Sequence, residues 1–376
     1  MNFIKFVHTA DVHIKISGDE GFNALREILE KSKQIGAKAL FISGDLFDSD
    51  KSAFETRTDI RTLFESYPAI KIFMTSGNHD WESYSKNVNY GSNAVVLSEK
   101  PFEKSEAIEG FSVYGIPFQK GGDISSVLKI ISQKSKDESQ FPILLTHGTL
   151  IDQWLNDILV YLSQYEKEND SFYIHEEALK GCGLPLILLG HYHNFVERNY
   201  ENTKAAYCGS PIATSTKNSG RRRASLIQID AQKQKLQLSE ILLSSAFNIS
   251  TTIKVTPGKE DDIFRQIEEF TAKESDKNAS LDLRIEGFTA VGENEFQKRL
   301  NDAEKKIRDK FKDISLKNNT RELISLRANP LAKKFLEIWE EEFKRLEKSS
   351  KQRDAYYKAL EFAFIAFEES LIKKQS

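Results

Sequence analysis

The 376-residue chain has only two cysteines, Cys182 and Cys208. Two thiols cannot build a disulfide framework, and so small a number fits the reducing cytoplasm. Long hydrophobic runs are lacking too. Nothing approaches the ~18 consecutive apolar residues a membrane-spanning helix needs, so a soluble protein with no membrane partner is expected. The opening "MNFIKFVHTADVH" lacks the pattern of an export signal and runs directly into a strand, which predicts retention in the cytoplasm. Neither sign of charge is in surplus. With a net charge of −3, any nucleic-acid binding has to rest on local basic patches rather than a global field. Internal repeats and low-complexity tracts are absent.

What is present, over residues 1–245, is an alternation of short apolar runs with helical patterns. "FIKFVHTA", "ALFISGD", "IKIFMTSGN", "FSVYGI", "PILLTHG" and "LILLGH" read as strands. Between the first two, "FNALREILEKSKQIG" carries a helical period that ends at Gly36. This succession predicts an α/β domain with helices covering a mostly buried sheet. Farther on, "ASLIQID" and "KLQLSEILL" suggest a β-hairpin. Residues 246–320 read strand–helix–strand–helix–strand, a small α+β unit. Residues 321–376 read as a helical tail. Asn329 and Pro330 are placed as cap and first residue of one helix, with Leu331, Phe335, Trp339, Phe343 and Leu346 at helical spacing. A second helix from about 354 has Tyr356, Leu360, Ala363, Phe367 and Leu371 on one stripe and Tyr357, Phe362, Phe364 and Ile365 off it. It is apolar nearly all round, which fits either burial against its neighbour or a docking surface.

The chemistry lies where the strands end. In "LILLGHYHNF" four aliphatic residues give way to Gly190, His191 and His193. If the extended backbone continues, both imidazoles face one side just past the strand. The same change occurs at Asp11 and His13 ("HTADVH"), Asp45 ("ISGDLFD"), Asn78 and His79 ("TSGNHD") and His147 ("PILLTHG"). Five of the seven histidines fall at such positions, and open α/β sheets place their sites at the carboxyl ends of strands. Asp11, His13, Asp45, Asn78, His147, His191 and His193 offer only oxygen and imidazole nitrogen. The set is too rich for one tetrahedral ion, and two ions sharing a carboxylate fit better. Such donors suit manganese, with iron, zinc or magnesium possible, two ions per subunit. The chemistry that follows is in-line displacement at phosphorus.

"DVH…GDLFD…GNHD…TH…GHYH" resembles the full signature of the calcineurin-like metallophosphoesterases. The resemblance implies a β-sandwich flanked by helices. It implies that Asp11, His13, Asp45 and His193 hold one ion and Asp45, Asn78, His147 and His191 the other, with Asp45 bridging. His79 would contact the scissile phosphate and assist the leaving oxygen, with Asp48 pairing to its imidazole. "FVHTADVH", "GNHDW" and "YCGSP" (207–211), with the α+β cap and the helical tail, are further similar to the SbcD-type nucleases of double-strand-break repair. That likeness implies a manganese-dependent enzyme that removes nucleotides from duplex DNA ends 3′-to-5′ and nicks single strands and hairpins. It also implies a homodimer through helices of the phosphoesterase domain, for which 54–64 ("FETRTDIRTLF") is the candidate. The C-terminal helices would bind the coiled coil of an SMC-like ATPase, and the location would be cytoplasmic, nucleoid-associated in a prokaryote.

The chain departs from the pattern in two places. At Asp48, where archaeal and eukaryotic members often have histidine, stands an aspartate that looks more bacterial, and the first motif, commonly continued His-Leu-Gly, reads His13-Ile14-Lys15. Lys15 could reach a phosphate at the site mouth or be a solvated loop residue. Arg221, Arg222 and Arg223 could contact the DNA backbone or be ordinary hairpin-turn charges. His8 is expected to pack within its strand and His175 to begin a surface helix. Two other functions stay open: a small-molecule phosphodiesterase or phosphatase, and a scaffold bridging DNA ends to the ATPase.

Overall fold

The computed structural model describes residues 3–84, 88–136, 138–151, 172–215, 218–230, 233, 235–255, 260–289, 291–322 and 330–345, with 355, 356, 359, 360, 362, 363 and 366. They form two compact units, residues 1–247 and 248–376.

In the first unit the strands are β1 (Ile4–Thr9), β2 (Ala39–Ser43), β3 (Lys71–Thr75), β4 (Ala94–Val96), β5 (Glu103–Ile108), β6 (Phe111–Ile116) and β7 (Phe141–His147). They continue with β8 (Thr149–Ile151), β9 (Tyr173–His175), β10 (Leu186–Gly190), β11 (Val196–Tyr200), β12 (Thr203–Tyr207), β13 (Arg223–Asp230) and β14 (Lys235–Leu242). Twelve of them build two six-stranded sheets, ordered β14-β13-β1-β2-β3-β4 and β11-β12-β10-β7-β6-β5, and β8 pairs with β9. Within the sheets, β1 to β4 run parallel, as do β6, β7, β10 and β12, while β13, β14, β11 and β5 pair antiparallel at the flanks.

The aliphatic runs are continuous because both faces of the central strands are buried. Phe6, Phe41 and Phe73 meet Phe111, Ile143, Leu145, Leu186 and Leu188 between the sheets. The alternate residues Val7, Leu40 and Ile42 pack outward under α1 (Glu20–Ile35) and α2 (Asp50–Glu65). On the other side Leu144, Ile187 and Leu189 pack under α3 (Ser125–Lys136) and α4 (Glu176–Leu179). The Asp19 side chain caps α1 by accepting from Phe22 N (2.8 Å), and Gly36 ends it at φ 74. His8 is packed in β1 and His175 is the N-cap of α4, both as their sequence context predicts. Strands β4, β5, β8, β9, β11 and β12 escape the sequence reading; β5 and β11 are polar sheet edges, β5 without a fully buried residue and β11 burying only Val196 and Tyr200.

The second unit has β15 (Phe247–Val255), α5 (Glu260–Glu274), β16 (Ala279–Thr289), α6 (Glu293–Ile307) and β17 (Asp313–Glu322), with the strands in that order in one sheet. Strands β16 and β17 are parallel, in register at Leu281↔Ile314 and Leu283↔Leu316, and α6 makes the crossover. Helix α7 (Pro330–Arg345) begins at Pro330, where the missing N–H costs nothing. Its buried face is Ala332, Leu336 and Trp339 with Phe335 and Phe343 packed against it, so Phe335, Trp339 and Phe343 of the expected stripe do face inward, whereas Leu331 is 69% exposed. Leu360 and Tyr356 pack against this face, and Trp339 Nε1 donates to Tyr356 O (2.9 Å). The cap Asn329 lies outside the described residues, as do Leu346, Tyr357, Phe364, Ile365, Phe367 and Leu371 of the expected tail. No described helix is long and apolar enough to cross a membrane.

Candidate metal centre

Strands β1, β2, β3, β7 and β10 all deliver their following residues to the same edge, because they are parallel within each sheet. At that edge the backbone turns sharply. Asp11 (φ 53), His13 (φ 51), Asp45 (φ 50) and His191 (φ 101) all adopt positive φ, unusual for residues with a Cβ. Four strained donors in one place mark a site whose surroundings hold them there. Close packing beneath them requires glycine: a Cβ on Gly190 would collide with the Ser43 carbonyl, and one on Gly44 with the His147 ring.

The positive φ of His191 corrects one expectation. The backbone does not continue extended past Gly190. Instead His191 N donates to both carboxylate oxygens of Asp11 (3.0 Å each), which turns the chain and sends the two imidazoles apart. His191 Nδ1 approaches Asn78 Oδ1 (3.2 Å), whereas His193 Nε2 lies 3.6 Å from Asp11 Oδ1.

The donors predicted from sequence converge. Asp45 Oδ2 stands 3.9 Å from His13 Nε2 on one side and 3.5 Å from His147 Nε2 on the other, where a shared carboxylate belongs. His147 Nδ1 donates to Ser43 O (2.9 Å), so its Nε2 carries a lone pair. That lone pair faces only acceptors, Asp45 Oδ2 and Asn78 Oδ1 (3.0 Å). His13 Nε2 is buried without a hydrogen-bond partner. Asp11, His13 and His193 form one cluster whose donor atoms lie within 4.8 Å of one another, and Asp11, Asp45 and His147 form a second. Acceptors crowded against acceptors lack a cation, and oxygen and imidazole donors fit divalent ions.

The electrostatics agree. Burial and the neighbouring Asp11 charge push the Asp45 carboxyl up to about 7. Burial alone would raise Asp11 as well, but the neighbouring imidazoles of His193, His147 and His13 outweigh it and hold Asp11 below the usual carboxylate range. Burial holds His13 down to about 3 and His147 to about 4. These rings are therefore neutral at pH 7, with lone pairs available.

His79 sits exposed at the rim. Its Nδ1 donates to Asp48, but to the backbone carbonyl (3.0 Å) rather than to the expected carboxylate. The carboxylate is instead 3.9 Å from both His13 Nδ1 and Lys15 Nζ, drawn to the nearer cation and ring. Lys15 is solvated, with 68% of its side chain exposed. The three arginines divide. Arg222 is buried and donates to Ser219 O and Gly220 O, so it braces the turn and is removed from the phosphate contacts expected of it. Arg221 lies over Phe247, while Arg223 lies over Phe195 and pairs with Glu240. These arginines, with His193 and Ser210, line a cavity of 370 Å³.

Three supporting residues were missed. Buried Asp80 accepts from Gly77 N (2.8 Å), Phe47 N (3.2 Å) and Tyr84 Oη (2.8 Å), fixing the loop that carries Asn78 and His79. Its place at the end of "GNHD" was the available signal. Ser210, in the "CGSP" segment, donates through Oγ to Asp11 O (2.7 Å) and through N to His193 O (3.1 Å). Thr214 contacts His193 Nδ1.

The family model described as calcineurin-like phosphoesterase matches residues 4–195, just over half of the chain. Among solved structures the chain is similar to a Thermus thermophilus protein (14% identity, TM-score 0.40, covering 64% of this chain and 99% of that one). It is also similar to a dimetal phosphatase from Danio rerio (9% identity, TM-score 0.38, 60% and 95% covered). A third likeness is to a Streptococcus pneumoniae protein described as a predicted phosphoesterase (15% identity, TM-score 0.29, 65% and 99% covered). No curated protein matches the sequence.

Proposed function

The chain belongs to the calcineurin-like phosphoesterases, whose chemistry is phosphoester hydrolysis at a dimetal centre, and from that premise we propose that it is an SbcD-type DNA nuclease. In this reading it is a manganese-dependent phosphodiesterase that trims duplex ends 3′-to-5′ and cuts single strands and hairpins. One observation carries the choice of a polymeric substrate: the 370 Å³ cavity beside His193, walled by Arg221 and Arg223. A strand running on from the scissile phosphate brings further phosphates with it, and cations beside the site meet them without regard to sequence. A small diester has no use for such a wall.

Asp11, His13, Asp45 and His193 would hold one ion, and Asp45, Asn78, His147 and His191 the other. Bound there, the ions activate water and neutralise charge on the phosphoryl oxygens. The protein's own groups do the rest. Asp80 and Ser210 keep the donor-bearing loops from relaxing. With Nδ1 tied to the Asp48 carbonyl, His79 presents Nε2 to the phosphate and, as the imidazolium, gives a proton to the departing sugar oxygen.

Cleavage of end-labelled duplex DNA with Mn²⁺, set beside hydrolysis of a small chromogenic phosphodiester, tests the reading. DNA is expected to be the better substrate. His79→Asn should slow cleavage by about 10²–10⁴-fold, with metal content and DNA binding retained. Ester hydrolysis without DNA cleavage would make the protein a small-molecule phosphodiesterase. DNA binding without hydrolysis would make it a scaffold.

Two partner surfaces belong to the same proposal. Phe54 on α2 is 74% exposed, which supports a homodimer through that helix, although Ile60, Leu63 and Phe64 of the same segment are buried in the subunit's own core. Leu331 and Ile338, seven residues apart on α7, are 69% and 54% exposed and suit docking of a coiled-coil ATPase.

A further inference from the structure

Behind His193, on the side away from Asp11, a short relay of hydrogen bonds runs through Thr214 and Asn218. Thr214 Oγ1 lies 2.6 Å from His193 Nδ1 and 2.8 Å from Asn218 Oδ1. Asn218 Oδ1 also accepts from the backbone N–H of Ser215 (2.9 Å) and from Ser215 Oγ (2.9 Å). A backbone N–H can only donate, so it dictates that the oxygen end of the Asn218 amide faces this cluster. That oxygen can only accept, so the Thr214 hydroxyl must spend its single proton on it. Toward His193 the hydroxyl then has only lone pairs to offer, and Nδ1 must carry the hydrogen.

We infer that Thr214 is a positioning residue that fixes His193 as its Nδ1–H tautomer, leaving the Nε2 lone pair, 3.6 Å from Asp11 Oδ1, as the metal-binding atom. Metal-binding histidines are commonly set in this way by a partner on the other ring nitrogen. His147 receives the same tautomer directly, by donating to Ser43 O. His193 obtains it at one remove, through a side chain whose own orientation is set by Asn218. Arg222 anchors the far end by binding the carbonyls of Ser219 and Gly220, which gives its burial a purpose. The tautomer stands independently of metal; its consequence for ion uptake rests on the two-ion reading above.

Nitrogen-15 NMR of the full-length, metal-stripped, histidine-labelled protein reads the tautomer, at a pH above the ordinary imidazole range. The His193 signals are assigned by their loss in His193→Gln. Wild type should show a protonated Nδ1 and an unprotonated Nε2. Thr214→Val should shift His193 toward the other tautomer and weaken Mn²⁺ binding in calorimetry by about 10–100-fold, the usual effect of losing such a partner. Thr214→Ser, which keeps the hydroxyl, should restore both. An Nε2–H tautomer in wild type, or an unchanged tautomer in Thr214→Val, overturns the relay. If Thr214→Val does not fold, the wild-type spectrum alone decides. A changed tautomer with unchanged Mn²⁺ uptake would uphold the relay and refute the assignment of His193 as a ligand.

Discussion

At the scale of single residues, the metal centre is a place where ionisation and ion uptake are coupled. Asp45, pushed up to about 7 by burial and by Asp11, is largely protonated at pH 5 in the metal-free protein and largely ionised at pH 8. The sign follows. A carboxyl whose folded-state pKa lies above its unfolded value costs nothing below about 4, and its cost grows until pH passes the folded value. A divalent ion removes that cost. The rise in Tm produced by saturating Mn²⁺ should therefore be larger at pH 8 than at pH 5, and thermal unfolding with and without the ion measures it. Equal rises at the two pH values would mean that Asp45 is not the group the ion discharges. The donors themselves were readable in the sequence, because each stands after an aliphatic run. What the residues around them do was not. That Arg222 is spent on carbonyls, that Asp48 holds His79 by its backbone, and that Thr214 backs His193 are facts of tertiary placement, which no local pattern encodes.

At the scale of elements, the site is made by strand ends that turn abruptly. Interior strands were legible because burial of both faces writes an unbroken aliphatic run. The edge strands β5 ("EKSEAI") and β11 ("VERNY") were not, since β5 buries no residue fully and β11 only its two ends, and polar residues fill the rest. The turn after β10 differs from its sequence expectation for another reason. His191 was expected to continue its strand, yet a contact with Asp11, 180 positions earlier, sets its backbone. Positive φ at residues with a Cβ has a measurable cost. Asp11, at φ 53, lies where glycine is free and alanine is strained by about 1 kcal/mol. Metal-free Asp11→Gly should thus be more stable than Asp11→Ala by about that amount in denaturant unfolding, both having lost the same carboxylate. The opposite order would show that the turn is not held against its own preference.

At the scale of the whole molecule, all seven proposed donors lie in the first unit, and the two surfaces proposed for partners lie apart in the sequence: Phe54 in the first unit, Leu331 and Ile338 in the second. Assembly should therefore be separable into independent parts. Replacing an exposed apolar anchor with a charge removes the apolar contact it offers a partner while leaving the buried core residues in place, since Phe54, Leu331 and Ile338 are all more than half exposed. Phe54→Asp is expected to turn a dimer into a monomer in sedimentation equilibrium, with ATPase binding and hydrolysis of a small diester per subunit unchanged. Leu331→Asp combined with Ile338→Asp is expected to do the reverse, abolishing co-purification with a co-expressed coiled-coil ATPase while the dimer persists. A double loss from either variant would mean that the two surfaces form one interface. A dimer that survives Phe54→Asp would place the two-fold contact away from α2.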